Sequence, residues 1–359
     1  MTRVYIIAEA GVNHNGSLDL AYRLIDKACE AGVDAVKFQT FIAEKGLIED
    51  AQKADYQLDT TDKNESQLEM IKKLELSFED FKALKTYCDQ KNIEFMSTGC
   101  DLESLDFLID ELGVQFLKIS SGEIVNAPLL LKAAQSKKQI ILSTGMSTIE
   151  DIDTALAILE YGYTYSNKIP NSLEEVLNEF SGEARPLVKK NVVLLHCTTE
   201  YPAPINELNL RVIPQLEEKF NIRVGYSDHS EGITASIIAV ALGSTVVEKH
   251  FTLDKNMEGP DHKASLEPEE LKNLTNAIRL TETMLGSGKK HITQSEQRNV
   301  SIARKSLVAE CEIVKGELIS PEKVSIKRPG TGLTPLKYWD ITGRKATKSY
   351  KRNEFIQED

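Results

Sequence analysis

No long hydrophobic run occurs in the sequence: 18 consecutive apolar residues are found nowhere, and the short apolar stretch that begins at Val4 is interrupted by Glu9. A membrane-spanning helix and the hydrophobic region of a signal peptide both need longer runs. Proline and glycine are also scarce, at 11 and 20 residues, which excludes a collagen-like or low-complexity chain. The sequence therefore predicts a globular, cytoplasmic protein.

The five cysteines are odd in number and include no CxxC pair. This pattern excludes a disulfide framework and a cysteine-rich zinc site, and it predicts reduced thiols. The net charge of -12 argues against nucleic acid or an anionic membrane as a partner. An anionic substrate must therefore be bound by cations placed locally in its site.

Short runs rich in valine, isoleucine, phenylalanine and leucine alternate with stretches of helical periodicity. The runs are residues 4–11, 35–40, 93–98, 116–121, 139–145, 191–198, 223–229 and 246–251. Eight such β/α units predict parallel strands closed into a (β/α)8 TIM barrel. The alternative is an open doubly wound sheet, but "EAGVNHNGS" lacks the G-x-G-x-x-G spacing typical of its first turn.

Two connections are longer than the others. Residues 41–76 follow the second strand, which predicts a lid or substrate loop above the C-terminal mouth of the barrel. Residues 161–190 precede the sixth strand and are expected at the opposite end, away from the chemistry. We expect the barrel to occupy residues 1–286, a polar linker residues 287–299, and a small β-rich domain residues 300–359.

The predicted strands end in carboxylates, lysines, hydroxyls and imidazoles, which converge at one mouth of such a barrel. His229 and His250 end consecutive strands, so their rings can share one divalent cation, and nearby carboxylates suit Mn²⁺ or a similar ion. A role of His229 as an acid/base or core residue stays open. The nearby carboxylates are Glu9, Glu123 and Asp228, and the competing histidines are His14, His196, His262 and His291.

Lysine and hydroxyl side chains at the same strand ends predict an anion site. Lys118 and Ser121 lie close together in "FLKISSGE", and Thr98, Ser143 and Ser227 end other strands. Their hydroxyls and the lysine can surround a phosphate group. The alternative is that these serines and threonines only terminate strands.

Ordered motifs along the chain resemble the sialic acid synthase family: "IIAEAGVNHNGSL", "VKFQT", "KISSGE", "ILSTGM", "LLHCTTEYPAP", "GYSDHSEG", "EKHFTLDKNMEGPDHKASL" and "KRPGTG". The resemblance runs from about Val4 to the C-terminus, except for residues 161–190. It implies a TIM barrel followed by an antifreeze-like (SAF) domain. It also implies an enzyme that condenses phosphoenolpyruvate with an N-acylated mannose-type sugar to a nine-carbon 2-keto acid.

The resemblance implies a role for each matching residue. Metal binding falls to His229 and His250, with Mn²⁺ as the expected ion and Mg²⁺ or Co²⁺ as alternatives. The catalytic groups are Glu9, Glu123 and Lys37, with Glu123 preferred over Glu9 for activating water. The substrate contacts are Thr98, Lys118, Ser121, Ser143, Thr199, Tyr201, Ser227, Asp261 and Arg328.

Two departures from the family pattern change the local expectation. "STGCD" places Gly99 and Cys100 where an apolar Thr-Pro-Phe turn is expected, so the shape of this loop differs. "CTTEYP" places Thr199 where an asparagine often contacts phosphate, and a hydroxyl has a different reach.

The resemblance further implies a homodimer with domain exchange, in which Arg328 of one chain touches the N-acyl group of the acceptor at the mouth of the other barrel. We expect the acceptor to be a 2,4-diacetamido-2,4,6-trideoxymannose, because the lid and "LDKNMEGPDHKASLEP" look most like the legionaminic branch. N-acetylmannosamine, giving N-acetylneuraminate, is the alternative. A metal-dependent aldolase or epimerase and a sugar-binding protein are more remote.

Overall fold

The computed structural model of the protein describes residues 3–58, 60–180 and 185–358. Contacts within the chain divide it into two compact units, Met1–Gly286 and Ser287–Asp359. The first unit holds the barrel, and the second holds a two-stranded antiparallel sheet. No helix in the described ranges has the length and apolar character needed to cross a membrane.

Within the described part of the first unit, parallel strands form a closed barrel in the order in which they occur along the chain. This arrangement confirms the predicted (β/α)8 fold and excludes the open doubly wound sheet. The strands are β1 Tyr5–Gly11, β2 Ala35–Thr40, β3 Glu94–Gly99, β4 Phe116–Ile119, β5 Gln139–Ser143, β6 Val192–His196, β7 Arg223–Asp228 and β8 Val246–His250.

Helices connect the strands and cover the barrel. Several begin at a side-chain cap, such as Ser17, Ser77 and Thr148, whose hydroxyls accept an N–H of the first turn. The helices are α1 Leu18–Ala31, α2 Ala43–Gly46, α3 Asp55–Leu58, α4 Gln67–Lys72, α5 Phe78–Lys91, α6 Leu102–Asp106, α7 Ala127–Gln135, α8 Ile149–Thr164, α9 Leu173–Phe180, α10 Pro186–Asn191, α11 Val212–Phe220, α12 Thr234–Ala241 and α13 Pro268–Leu285.

Apolar side chains pack inside the N-terminal part of the barrel. Strands that bury both faces need such a layer, because nothing else fills a barrel of this size. Toward the C-terminal ends, the side chains that face inward become polar, as Lys37, Thr98 and Glu248 show. The mouth of the barrel is therefore left to charged and hydroxyl groups. The inner apolar layer consists of Ile7, Ala35, Met96, Ile141, Val193, Leu195 and Val246.

The two long connections have the positions that the sequence predicts. Residues 41–76 follow the C-terminal end of β2 and contain α2, α3 and α4, with Lys53 buried in an ion pair to Glu65. Residues 161–190 contain the end of α8, then α9 and the start of α10, and lead into the N-terminal end of β6. Of this second stretch, residues 181–184 lie outside the described residues.

The second unit pairs β9 Ser306–Ala309 with the antiparallel strand β10 Val324–Lys327, and it also contains α14 Gln294–Ala303 and α15 Tyr338–Ile341. Leu307, Ile313 and Tyr350 belong to its own buried core. The segment expected as a linker, residues 287–299, is only partly irregular, because α14 begins within it. The reason is a capping box, in which the Thr293 hydroxyl accepts the Glu296 N–H and the Glu296 carboxylate accepts the Thr293 N–H.

Gly225 on β7 leaves no room for a side chain, because an added Cβ would lie 2.6 Å from Leu195 Cδ2 and from the carbonyl oxygen of Val246. We expect Gly225→Ala to lower the free energy of unfolding by about 1–3 kcal/mol, since the barrel wall must shift. Urea unfolding followed by circular dichroism measures the change. The matched control is Gly46→Ala, because nothing lies within 4 Å of its added Cβ. An equal loss of stability in both variants would contradict the packing argument.

Candidate active site

A cavity of about 190 Å³ opens among the C-terminal ends of the strands. All the residues predicted from sequence to form the site line this cavity except Glu123, Asp261 and Arg328. Polar strand ends therefore converge as a barrel requires. The lining residues are Glu9, Lys37, Gln39, Thr98, Cys100, Lys118, Ser120, Ser121, Gly122, Ser143, Thr199, Tyr201, Ser227, His229, Glu248 and His250.

Two buried lysines dominate the electrostatics of this cavity. The ammonium group of Lys37 lies 2.6 Å from Glu9 Oε2 and 3.7 Å from Glu248 Oε2, and that of Lys118 lies 3.6 Å from Glu248 Oε1. Lys37 also donates to the hydroxyl of Thr98, and Lys118 donates to that of Ser143. Two positive charges beside hydroxyl groups form a site that suits an anion such as phosphate.

The two carboxylates of this cluster differ in the direction of their pKa shifts. Burial raises the pKa of Glu9, although the charge of Lys37 opposes this effect. Burial also tends to raise the pKa of Glu248, but Lys118 and Lys37 together hold this pKa below its ordinary value. The charged form is therefore favoured at Glu248, the counter-charge of the lysines, whereas Glu9 is protonated more readily.

The imidazoles of His229 and His250 lie next to each other, with ring centroids 5.5 Å apart. Nδ1 of His229 donates to the carbonyl oxygen of Thr198 over 2.6 Å, and its Nε2 lies 3.2 Å from the hydroxyl of Tyr201. Nδ1 of His250 is buried and has no hydrogen-bond partner among the described residues; it lies 3.6 Å from Asp261 Oδ2.

These two rings fit a divalent cation. Burial lowers the pKa of His229 to about 4 and that of His250 well below its ordinary value, so both rings are neutral and keep a lone pair for a metal. Among the described residues, no group of three or more histidine, cysteine, aspartate or glutamate side chains is arranged to hold a metal. Two imidazoles would therefore leave most coordination positions to water and substrate.

The remaining predicted residues have other positions. Asp261 is buried beside His250, and burial raises its pKa to about 6. Glu123 ends a short 3₁₀ turn after β4, and its carboxylate accepts the side-chain N–H of Asn126 over 2.6 Å rather than lining the cavity. Arg328 is exposed and follows β10 in the second unit. Of the two carboxylates proposed to activate water, the cavity thus contains Glu9.

Asp228 was expected among the carboxylates near the histidines, but it faces away from the cavity. Its Oδ1 lies 3.2 Å from the ammonium group of Lys249, and its Oδ2 accepts from the hydroxyl of Ser236 in α12. The physical reason is the alternation of a β-strand, which places Asp228 on the face opposite Ser227 and His229.

The competing histidines do not line the cavity. His196 donates through Nε2 to the carbonyl oxygen of Leu208, and His262 lies between the hydroxyl of Thr252 and the side-chain oxygen of Asn15. His14 is buried, and its Nδ1 accepts the N–H of Gly16. His291 is exposed in the second unit.

Glu248 and Gln39 are polar strand ends that the sequence places at the mouth without a role, and both line the cavity. Gln39 donates to Glu9 over 3.2 Å, and Glu248 accepts from the hydroxyl of Ser227 over 2.8 Å. The sequence spacing indicates their position. Gln39 lies two positions from Lys37 on β2, Glu248 lies two positions from His250 on β8, and side chains two apart on a strand share a face.

The two departures from the family pattern have structural explanations. An added Cβ at Gly99 would lie 3.0 Å from the backbone of Leu105, so the loop packs tightly against α6. Cys100, the next residue, lines the cavity. The hydroxyl of Thr199 is buried without a hydrogen-bond partner among the described residues, so it is free to bind a ligand.

A (β/α)8 barrel with buried lysines, acidic groups and paired imidazoles at its C-terminal mouth defines a barrel enzyme suited to an anionic substrate. The chain belongs to the NeuB family, which matches residues 24–290. Residues 304–359 match the SAF domain, as predicted for the second unit.

Related proteins cover the whole chain. The N,N'-diacetyllegionaminic acid synthase of Campylobacter jejuni subsp. jejuni serotype O:2 is 49% identical over 358 residues, covering 100% of both chains. That of Legionella pneumophila is 44% identical, covering 94% of this chain and 89% of the relative. The crystal structure of the N-acetylneuraminic acid (sialic acid) synthetase of Leptospira borgpetersenii superposes with a TM-score of 0.68 at 34% identity, covering 83% and 90%.

Replacement of Glu248 tests the charge balance of the cavity. We expect Glu248→Gln to bind inorganic phosphate about ten-fold more tightly, because a negative charge is lost between two buried ammonium groups. Isothermal titration calorimetry with phosphate measures the Kd. Glu44→Gln, which neutralises an exposed partner of Lys72, is the control and should leave the Kd unchanged. Unchanged or weaker phosphate binding by Glu248→Gln would refute this account.

Proposed function

We propose that the protein condenses phosphoenolpyruvate with 2,4-diacetamido-2,4,6-trideoxymannose to give N,N'-diacetyllegionaminic acid and inorganic phosphate. The observation that carries this proposal is the 49% identity to a relative named as a synthase of this product. The match covers 100% of both chains. The second legionaminic acid synthase, at 44% identity, supports the same acceptor. The cavity supplies the chemical groups that each half of the reaction needs.

The donor is expected at the two lysines. Phosphoenolpyruvate carries a phosphate and a carboxylate, and Lys37 on β2 and Lys118 on β4 are buried cations that line the same cavity. The hydroxyls of Ser121 and Ser143 and the unpaired hydroxyl of Thr199 add donors for phosphate oxygens. Because the lysines are fixed by ion pairs, the donor would be held with little freedom beside the acceptor.

The divalent cation is proposed at His229 and His250. Neutral imidazoles favour Mn²⁺ over Mg²⁺, with Co²⁺ as a competent substitute. When bound, the cation supplies Lewis acidity at the aldehyde oxygen of the open-chain sugar. Tyr201 and Asp261 lie against these rings and are proposed to contact the acceptor.

Glu9 is proposed as the group that accepts a proton from water. The enol CH₂ carbon of the donor forms the new C–C bond to the aldehyde carbon, which leaves its C2 electron-poor. Water adds at C2, and the tetrahedral species then loses phosphate to give the keto acid. Glu9 replaces Glu123 as the first choice, because the Glu9 carboxylate lines the cavity and that of Glu123 is bound to Asn126.

The lid provides an aromatic surface for the distal end of the sugar. The ring of Tyr56 in α3 lies 5.1 Å from that of Tyr201, at the edge of the cavity. A 6-deoxy sugar with a 4-acetamido group presents more apolar surface at that end than N-acetylmannosamine does, so it gains more from this contact. The structural similarity to an N-acetylneuraminic acid synthetase keeps N-acetylmannosamine as the second candidate acceptor.

Steady-state kinetics with both acceptors test the proposed reaction. We expect phosphate release only when phosphoenolpyruvate and a sugar are both present, and kcat/KM about ten-fold or more in favour of the 2,4-diacetamido-2,4,6-trideoxy sugar. Product mass identifies the acid formed. Chelator-treated enzyme is the control and should regain activity on addition of Mn²⁺. Conversion of the sugar without phosphate release would point to an aldolase or epimerase, and a higher kcat/KM for N-acetylmannosamine would reverse the acceptor assignment.

The assembly that we propose is a homodimer in which the second unit of each chain serves the barrel of the other. Arg328 would then present its guanidinium to the N-acyl group of the acceptor, a contact that suits its planar array of donors. Support comes from the resemblance of the whole chain to the family and from the exposure of Arg328 in its own unit.

The free cysteines are consistent with a cytoplasmic location, where thiols stay reduced.

Mixed dimers test completion of the site by the partner chain. In a heterodimer of Arg328→Ala and His229→Ala chains, one barrel retains its histidines and receives the intact Arg328, so we expect about half the wild-type rate per dimer. The two chains carry different affinity tags, and the heterodimer is purified through both. Each single-variant homodimer, expected to be nearly inactive, is the control. Verified heterodimers without recovered turnover would rule out this arrangement.

A further inference from the structure

Asp228 and Lys249 form a fully buried ion pair outside the cavity. Their side chains are 0% exposed, and Oδ1 of Asp228 lies 3.2 Å from Nζ of Lys249. The two residues are direct neighbours in the register of β7 and β8. Each precedes one of the two histidines in sequence, and the histidines line the cavity on the opposite face of the strands.

Both oxygens of Asp228 and the ammonium group of Lys249 bond to nearby groups. Oδ1 of Asp228 accepts from the N–H and the hydroxyl of Ser230, and Oδ2 accepts from the hydroxyl of Ser236 over 2.6 Å. Lys249 donates to the carbonyl oxygen of Ser230. The pair therefore ties together β7, β8, the turn after β7 and α12, and it holds the turn that begins at His229.

The two imidazoles differ in how they are held. His229 is oriented by its own hydrogen bond to the carbonyl oxygen of Thr198. His250 has no such bond at Nδ1 within the described chain, so its ring is held by contacts with the rings of Tyr201 and His229 and by the backbone at the end of β8. Lys249 adds a side-chain link between this strand and β7 to the backbone pairing of the two strands, because its ammonium group bonds to Asp228 and Ser230.

We propose that the Asp228–Lys249 pair positions the two imidazoles for metal binding. The pair sets the offset between the ends of β7 and β8 and hence the separation of the two rings. Asp228 and Lys249 are positioning residues, since neither touches the cavity. This inference rests on the proposed function, because it concerns the cation that the reaction needs.

A purely structural role is the competing explanation. Removing one partner of a buried ion pair leaves an unpaired charge and unfolds many proteins, whereas replacing both partners by uncharged residues is often tolerated. The double variant Asp228→Asn/Lys249→Met therefore separates the two explanations. Its matched control is Asp153→Asn/Arg185→Met, which removes an ion pair of 2.8 Å between α8 and the start of α10.

The experiment measures metal binding on full-length protein that circular dichroism shows to be folded. Electron paramagnetic resonance gives the Kd for Mn²⁺, and the visible absorption of bound Co²⁺ reports the geometry at the histidines. We expect the double variant to raise the Mn²⁺ Kd by about 10–100-fold and to change the Co²⁺ spectrum, because supporting groups of metal ligands have effects of this size. The control should match the wild type in both measurements.

A folded double variant with the wild-type Kd and Co²⁺ spectrum would overturn the positioning role. If the double variant does not fold, Ser236→Ala is measured instead; it removes only the bond to Asp228 Oδ2, and a weakened Mn²⁺ affinity supports the role, whereas an unchanged affinity overturns it. Wild-type protein that binds no Mn²⁺ would refute the proposed metal site itself, and the positioning role with it.

Discussion

The burial of two ammonium groups inside one barrel mouth is the constraint on which the site depends. Lys37 and Lys118 are almost inaccessible to solvent, and a buried charge is tolerated only when paired and hydrogen-bonded. Glu248 lies between them, and Glu9 pairs with Lys37. An incoming dianion would share the lysines with these carboxylates, so binding of the substrate and release of Glu9 from its ion pair are physically linked.

Successive side chains of a β-strand point to opposite faces, so each barrel strand places some residues in the cavity and others against the helices. Along β8, Glu248 and His250 face the cavity, while Lys249 faces the helices, and β7 repeats the pattern with His229 and Asp228. A charged residue on the outer face can thus support a ligand on the inner face without touching a substrate. The sequence "SDH…EKH" thus places the residues of the outer ion pair directly before the two histidines of the cavity.

The barrel could be predicted from sequence because its strands are regularly spaced and its motifs lie at strand ends. The direction of a side chain in a short turn could not be predicted from sequence, because it depends on a single local hydrogen-bond partner. The carboxylate of Glu123 accepts a hydrogen bond from the side-chain amide of Asn126, and no sequence periodicity predicts that bond. Glu248 could be placed at a strand end from sequence, but its partners could not, because only the fold brings it to the hydroxyl of Ser227 and between the two lysines. Within the segment expected as a linker, residues 287–299, the capping box at Thr293 starts a helix that no apolar periodicity indicates.

Unsatisfied polar atoms mark the places in this cavity that are available to a ligand. Oε2 of Glu248, Nδ1 of His250 and the hydroxyl of Thr199 are buried without hydrogen-bond partners in the described chain. Each such atom costs the folded protein about 1–3 kcal/mol, so a set of them in one cavity is not expected from folding alone. Their chemistry differs in a useful way, because the imidazole nitrogen suits a cation and the hydroxyl suits an oxyanion. The same small volume therefore offers groups that suit a cation beside groups that suit an oxyanion, which is the combination that the proposed reaction of an enol phosphate with an aldehyde would need.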